Sequence, residues 1–266
     1  MRVNAFIKGA PGDGKTFLEA ATSAIWETYY IDVEGGLFSA APAVHSDHLE
    51  VDFIQEPDAK QFFIKVGDAL SRAEGLVQQK KINCIVFDSL TELAGRMEAD
   101  YAQQSANGKV EFGEWYQLLD RLRRMVRRLK DIPCNIVVTA ITKPQGGEGT
   151  KIFEPILPGQ SSAVIPSFFD VVGLMRKVTN KGKHSYVFSS GGPALYQVRD
   201  RYRALDADEP VTEDAPWRVW EKLSAGVEKL SGKKDPIVTP DTDQTEKPAP
   251  AQTSEPATAG KGGKGK

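Results

Sequence analysis

The chain has 266 residues, 40% hydrophobic and 26% charged, which is enough apolar material for one well-buried α/β domain with or without a tail. A net charge of −2 excludes a general polycation, so any contact with nucleic acid requires a local basic patch. No apolar run approaches membrane-spanning length and the N-terminus carries no signal-peptide pattern, so the expectation is a soluble cytoplasmic protein with no membrane contact.

Val3, Ala5, Phe6 and Ile7 predict a strand over 2–8. Residues 9–16 then read Gly-Ala-Pro-Gly-Asp-Gly-Lys-Thr, which satisfies G-x-x-x-x-G-K-[ST], the phosphate loop between a strand and a helix. Gly9, Gly12 and Gly14 permit the tight turn, and with Ala10, Pro11, Asp13 and Phe17 they complete the expected nucleotide cradle. Lys15 is expected to reach the β- and γ-phosphates, and the Thr16 hydroxyl to ligate Mg²⁺. A helix over 15–27, a strand over 28–33, an extended piece at 50–54 and a helix near 58–80 follow. Next come a strand at 82–87, a helix at 91–104, a Gly/Asn-bearing break at 105–113, a helix at 114–130 and a strand at 135–141. Beyond Lys143 the texture changes to a Gly-rich stretch at 144–150, a short helix near 160–169, and runs 171–178, 184–189 and 195–199 with turn signals at Asn180-Lys181-Gly182 and Gly191-Gly192. A last helix spans 216–230, with Asp214 as a candidate cap. Domain boundaries are therefore expected at 1–230 for the α/β domain and 231–266 for a disordered low-complexity tail without aromatic residues. Cys84 and Cys134 lie in apolar runs and read as small core residues, and His45-x-x-His48 lacks further ligands for a metal.

Ile85-Val86-Phe87-Asp88 places an acid at the end of a buried strand, where it is expected to complete the Mg²⁺ site with Thr16; the alternative for Asp88 is a helix cap. Ser89 occupies the position where many related ATPases carry a catalytic Glu, so the water-activating acid must come from elsewhere. Glu34, at the end of Thr-Tyr-Tyr-Ile-Asp-Val-Glu before Gly35-Gly36, is the candidate, with Asp32 as the polar residue facing inward. Thr142 ends its strand as a candidate γ-phosphate sensor, and Lys143 and Lys151 flank a loop that could order on a nucleic-acid backbone. Helix 114–130 carries six cations in ten residues, among them Arg121, Arg124 and Arg128, which either track phosphates, pair with neighbouring acids or meet another subunit. Arg199 and Arg201 are read either as groups reaching the γ-phosphate of an adjacent subunit or as an ordinary surface pair.

The ordered succession of the phosphate loop, Tyr-Ile-Asp-Val-Glu-Gly-Gly, Ile-Val-Phe-Asp-Ser-Leu-Thr-Glu-Leu, Asn-Ile-Val-Val-Thr-Ala, Ile-Pro-Ser-Phe-Phe-Asp-Val-Val and Val-Arg-Asp-Arg resembles RecA-like P-loop ATPases over roughly residues 1 to 205. It also resembles phage nucleotide-binding AAA-domain proteins of the single-strand annealing and recombinase type. The resemblance implies a RecA-like P-loop NTPase core, a mostly parallel sheet flanked by helices with a C-terminal antiparallel extension. It also implies Mg²⁺ and ATP as cofactors, hydrolysis assisted by Glu34, action on single-stranded DNA, and a ring or filament of identical subunits in the host cytoplasm, with a single-strand-binding protein as a possible partner. Two other classes stay open: a nucleotide-dependent switch without catalysis, favoured by Ser89, and a small-molecule phosphotransferase, for which no arginine-bearing lid can be placed.

Overall fold

The computed structural model describes residues 1–145, 152–180 and 183–232. Apolar runs bounded by helices form a ten-stranded sheet whose central part is parallel. β1 (Asn4–Gly9), β2 (Thr28–Asp32), β3 (Leu49–Phe53), β4 (Cys84–Asp88) and β5 (Asn135–Gln145) are joined by β7 (Val171–Asn180) in the order β7-β1-β5-β4-β2-β3. Strands covered on both faces need side chains that are apolar in both directions, and β1, β2 and β4 are buried along their whole length. On one face α2 (Ala59–Gln78), α3 (Leu90–Gln104) and α4 (Phe112–Asp131) cover Phe6, Ile31, Ile85, Phe87, Ile136 and Val138. The other face is covered by α1 (Lys15–Ala20) and α6 (Arg218–Gly232), which meet Ile7, Tyr30, Val86 and Val137. Trp220, fully buried, donates its indole N–H to the Leu18 carbonyl at 2.7 Å and so pins the last helix to the helix that follows the phosphate loop.

The antiparallel extension differs in detail from the sequence expectation. β7 pairs with β8 (Lys183–Ser189), which pairs in turn with β10 (Asp208–Val211) at the sheet edge. β10 reads Asp-Glu-Pro-Val, with a proline that argues against an interior strand but is tolerated at an edge. Residues 195–199 do not form the expected strand. A 3₁₀ turn occupies Ala194–Tyr196, Gln197 is left-handed at φ 49°, and only the two-residue β9 (Arg199–Asp200) remains, paired to the start of β7. β6 (Ile152–Pro155) folds back antiparallel on the end of β5, so the strand at 135–141 runs four residues further than expected. The helix expected at 15–27 ends at Ala20 and continues as a 3₁₀ turn to Ala24, while the one expected at 160–169 is α5 (Ser161–Val164) followed by 3₁₀ residues to Phe168. Asp214 bonds to Thr212. α6 continues to Gly232, past the expected boundary at 230; the rest of the expected tail, Lys151, the Gly-rich loop and the 181–182 turn lie outside the described residues. Among the described residues no helix is long and apolar enough to cross a membrane.

Candidate functional site

The phosphate loop sits at the carboxyl end of β1, where all parallel strands end on one rim. Gly12 and Gly14 take φ of 80° and 84°, a region open to glycine, and a Cβ on Gly14 would stand 2.9 Å from the Tyr186 ring. Gly9 is equally confined, since a Cβ there would lie 2.8 Å from the Met175 carbonyl. Asp13 fixes the loop from within: one carboxylate oxygen accepts the Ala10 N–H at 2.8 Å, and the other the Lys177 N–H of β7 at 3.3 Å. Lys15 is buried and lays its ammonium across the loop, donating to the Gly9 and Ala10 carbonyls at 3.2 and 3.1 Å. The first turn of α1 carries no acidic residue and Gly14 offers no side-chain cap, so nothing anionic competes for its amides.

Asp88 ends β4 beside this loop. Its Oδ2 accepts the Thr16 hydroxyl at 3.1 Å and its Oδ1 accepts the Thr139 hydroxyl at 2.6 Å. The Tyr30 hydroxyl lies 2.9 Å from Oδ2 of Asp88 and 2.7 Å from Oε2 of Glu19. Burial first, and then the charge of Asp88, hold the Glu19 carboxyl well above the usual carboxylate range. A protonated Glu19 donating to Tyr30, which donates its single proton to Asp88, satisfies both contacts. The alternative reading of Asp88 as a helix cap is filled by its neighbour, because Ser89 caps α3 through the Glu92 N–H. Thr16 and Asp88 offer two hard oxygen donors side by side, which suits Mg²⁺ held by one carboxylate, one hydroxyl, phosphate oxygens and water.

Glu34 is presented by a turn that Asp32 builds. The Asp32 carboxylate is fully buried and accepts the N–H groups of Glu34, Gly35 and Leu37 at 3.1, 2.5 and 3.1 Å. Gly35 takes φ 80° in this turn, and Gly36 passes so close to the metal pair that an added Cβ would be 3.2 Å from the Thr16 hydroxyl. Glu34 therefore lines the same cleft of about 590 Å³ as Lys15, Thr16 and Gly36. Partial burial raises its pKa, while a hydrogen bond from Ser89 opposes the shift. The residue standing in the usual place of a catalytic acid thus reaches Glu34 instead.

Other expected residues lie apart. By strand alternation Thr142 shares the face of Ile136, Val138 and Ala140, opposite the face of α1, and its buried hydroxyl has no partner among the described residues. Thr139, three residues earlier, touches Asp88 instead. Arg199 and Arg201 stand at the amino end of the sheet, where β9 meets Val171 and Val172, away from the phosphate loop. Arg199 donates to the Phe169 and Pro166 carbonyls at 2.6 Å each, and Arg201 pairs with Asp170 at 3.0 Å, both within their own chain. On α4, Arg128 forks onto Glu74 at 2.7 and 3.0 Å, Arg124 pairs with Asp120 at 2.5 Å, and Arg121 stacks 4.4 Å from the Phe63 ring centre. Arg128 and Arg124 thus pair with neighbouring acids, one on α2 and one on α4 itself, while Arg121 packs on an aromatic ring of α2. Lys143 is exposed on β5 opposite Glu154, and His48 pairs with Glu27 while His45 meets the Trp217 edge. Glu19, Tyr30, Thr139 and Tyr186 carry no role in the sequence reading above; for Thr139 alone the period-two spacing from Val137 is a usable signal.

No curated protein matches the chain. A family model described as an AAA domain matches residues 1–205, most of the chain, and supports nucleotide binding and ATP hydrolysis. With its phosphate loop and buried carboxylate on one rim of a parallel sheet, the chain belongs to the AAA domain family.

Proposed function

We propose that the protein is a Mg²⁺-dependent ATPase whose working state is an assembly on single-stranded DNA in phage recombination or annealing. The observation that carries the catalytic part is the 3.1 Å contact between the Thr16 hydroxyl and Asp88, 72 positions apart in sequence and on the same cleft as Lys15. In this reading the loop amides and Lys15 grip the β- and γ-phosphates, and Thr16 and Asp88 hold the metal, with Tyr30 and Thr139 fixing the carboxylate. Mg²⁺ supplies charge neutralisation on the phosphate oxygens. Glu34, steered by Asp32 and Ser89, orients and deprotonates the attacking water. The RecA-like order of motifs supports single-stranded DNA and identical subunits as partners, with the exposed Lys143, towards the carboxyl end of β5, as a described cation for that contact.

Calorimetry with ATP, run with and without Mg²⁺, together with phosphate release at low salt with and without a single-stranded oligonucleotide, tests the parts separately. Mg²⁺-dependent heat and DNA-stimulated turnover are expected. Heat without turnover in any assembly favours the switch reading that Ser89 suggests; turnover indifferent to DNA removes the DNA part; no heat removes the whole.

A further inference from the structure

The cleft is lined by two chemically different sets of residues. Lys15, Thr16 and Glu34 are the groups just described, and Lys15 is the one cation among the described lining residues. The second set is aromatic and acidic. Phe17, the residue after Thr16, has its ring centre 6.5 Å from that of Tyr186, and both are half-buried. Tyr186 belongs to β8, its ring lies flat enough on the loop to crowd any Cβ at Gly14, and it pairs in register with Val211 of β10. Two residues beyond Val211, the exposed Glu213 lines the same cleft.

A carboxylate repels a phosphate unless it serves the metal or the attacking water, as Asp88 and Glu34 do in the ATPase reading, and two aromatic rings gain nothing from one, so this set of residues does not extend the triphosphate cradle. It fits a flat, uncharged heterocycle carrying a sugar whose hydroxyls donate hydrogen bonds. We propose that Tyr186 is the stacking face for the nucleobase and Glu213 the acceptor for the ribose hydroxyls, so that the β7–β8 hairpin and the end of β10 form the nucleoside half of the site. Two further observations and one general rule support the assignment. The hairpin is anchored to the phosphate loop through the Lys177 N–H to Asp13 bond, so a ring on β8 is held in fixed relation to the phosphates. Tyr186 lies two residues before the fully buried Phe188, which sets its face of the strand on the α1 side. In dinucleotide-binding folds a carboxylate accepts from the ribose hydroxyls, the chemistry assigned here to Glu213. The assignment rests on the triphosphate reading of the loop.

The test measures affinities by calorimetry for Mg²⁺-ATP, Mg²⁺-dATP and Mg²⁺-tripolyphosphate on the full chain and on Tyr186→Leu, Tyr186→Phe and Glu213→Gln. Tripolyphosphate lacks a nucleoside and reports the phosphate cradle alone. Base–aromatic stacking is worth about 1–3 kcal/mol, so Tyr186→Leu is expected to weaken ATP by roughly tenfold or more while tripolyphosphate is unchanged and Tyr186→Phe stays near wild type. Glu213→Gln is expected to bring ATP to the affinity of dATP. ATP binding that is equal in Tyr186→Leu and wild type overturns the proposal and leaves the ATPase reading standing. Equal losses for ATP and tripolyphosphate in both Tyr186 variants overturn it too, since Tyr186 would then only support the loop. Failure of wild type to bind either ligand refutes the triphosphate reading itself.

Discussion

Lys8 sits one residue before the phosphate loop. It is fully buried on β1 between Ala140 of β5 and Leu174 of β7, and its ammonium donates to the Phe153 carbonyl at 2.8 Å. Burial lowers its pKa from 10.5 to about 8, with the charge of Glu154 opposing the shift. Because the folded value lies below the unfolded one, the unfolded chain binds more protons between these limits, and stability rises with pH across the window. The interval from about 8 to 10.5 corresponds to roughly 3 kcal/mol, which is the penalty the charged form carries in the fold near neutral pH. Lys8→Met removes the titration at similar volume. In paired urea denaturations near pH 7 and near pH 10, wild type is expected to gain about 2–3 kcal/mol relative to Lys8→Met on going to the higher pH. Taking the difference between the two proteins cancels titrations they share, such as that of Tyr202, whose pKa burial also raises. A gap constant to within about 0.5 kcal/mol would refute the argument and place solvent against Lys8.

Glu34→Gln keeps the turn built by Asp32 and removes the base, so phosphate release should fall by about 10²–10⁴-fold while ATP affinity stays within about twofold; an unchanged rate excludes Glu34 as the water-activating group. Asp32→Ala leaves three backbone N–H groups without their acceptor and is expected to cost about 2–3 kcal/mol in denaturant unfolding, with turnover lost as well. A stability loss below about 0.5 kcal/mol would show that the turn holds without this carboxylate. Arg199→Ala removes the guanidinium from the Phe169 and Pro166 carbonyls and is expected to lower stability by about 1–3 kcal/mol while turnover per assembled subunit is unchanged; a selective loss of turnover at full stability would restore a role across subunits.

What the amino-acid order determines by itself is local. The phosphate loop is eight consecutive residues whose glycines meet a conformational demand, and the apolar runs that end in Asp32, Asp88 and Ile141 announce buried parallel strands with polar groups at one rim. From that rim the pairing of Thr16 with Asp88 follows, because both positions are tied to core elements that end on the same rim. Tertiary structure decides which partner a side chain finds when several are within reach of its sequence. Arg199 and Arg201 are a charged pair in any reading, and only the antiparallel return of β9 to the start of β7 puts them against Phe169 and Asp170 at the far end of the sheet. Arg128 is a cation on an amphipathic helix until α2 brings Glu74 beside it. Asp32 is legible as an inward acid, but its capture of three amides, which aims Glu34, depends on the turn at Gly35 closing over it. Edge strands were the hardest to read, since β10 has neither an alternating pattern nor a proline-free run and exists because β8 offers it an open row of hydrogen-bonding groups. Periodicity reports burial that an element obtains on its own strand or helix face, whereas edges, guanidinium partners and the lining of the nucleoside end are set by neighbours far away in the chain.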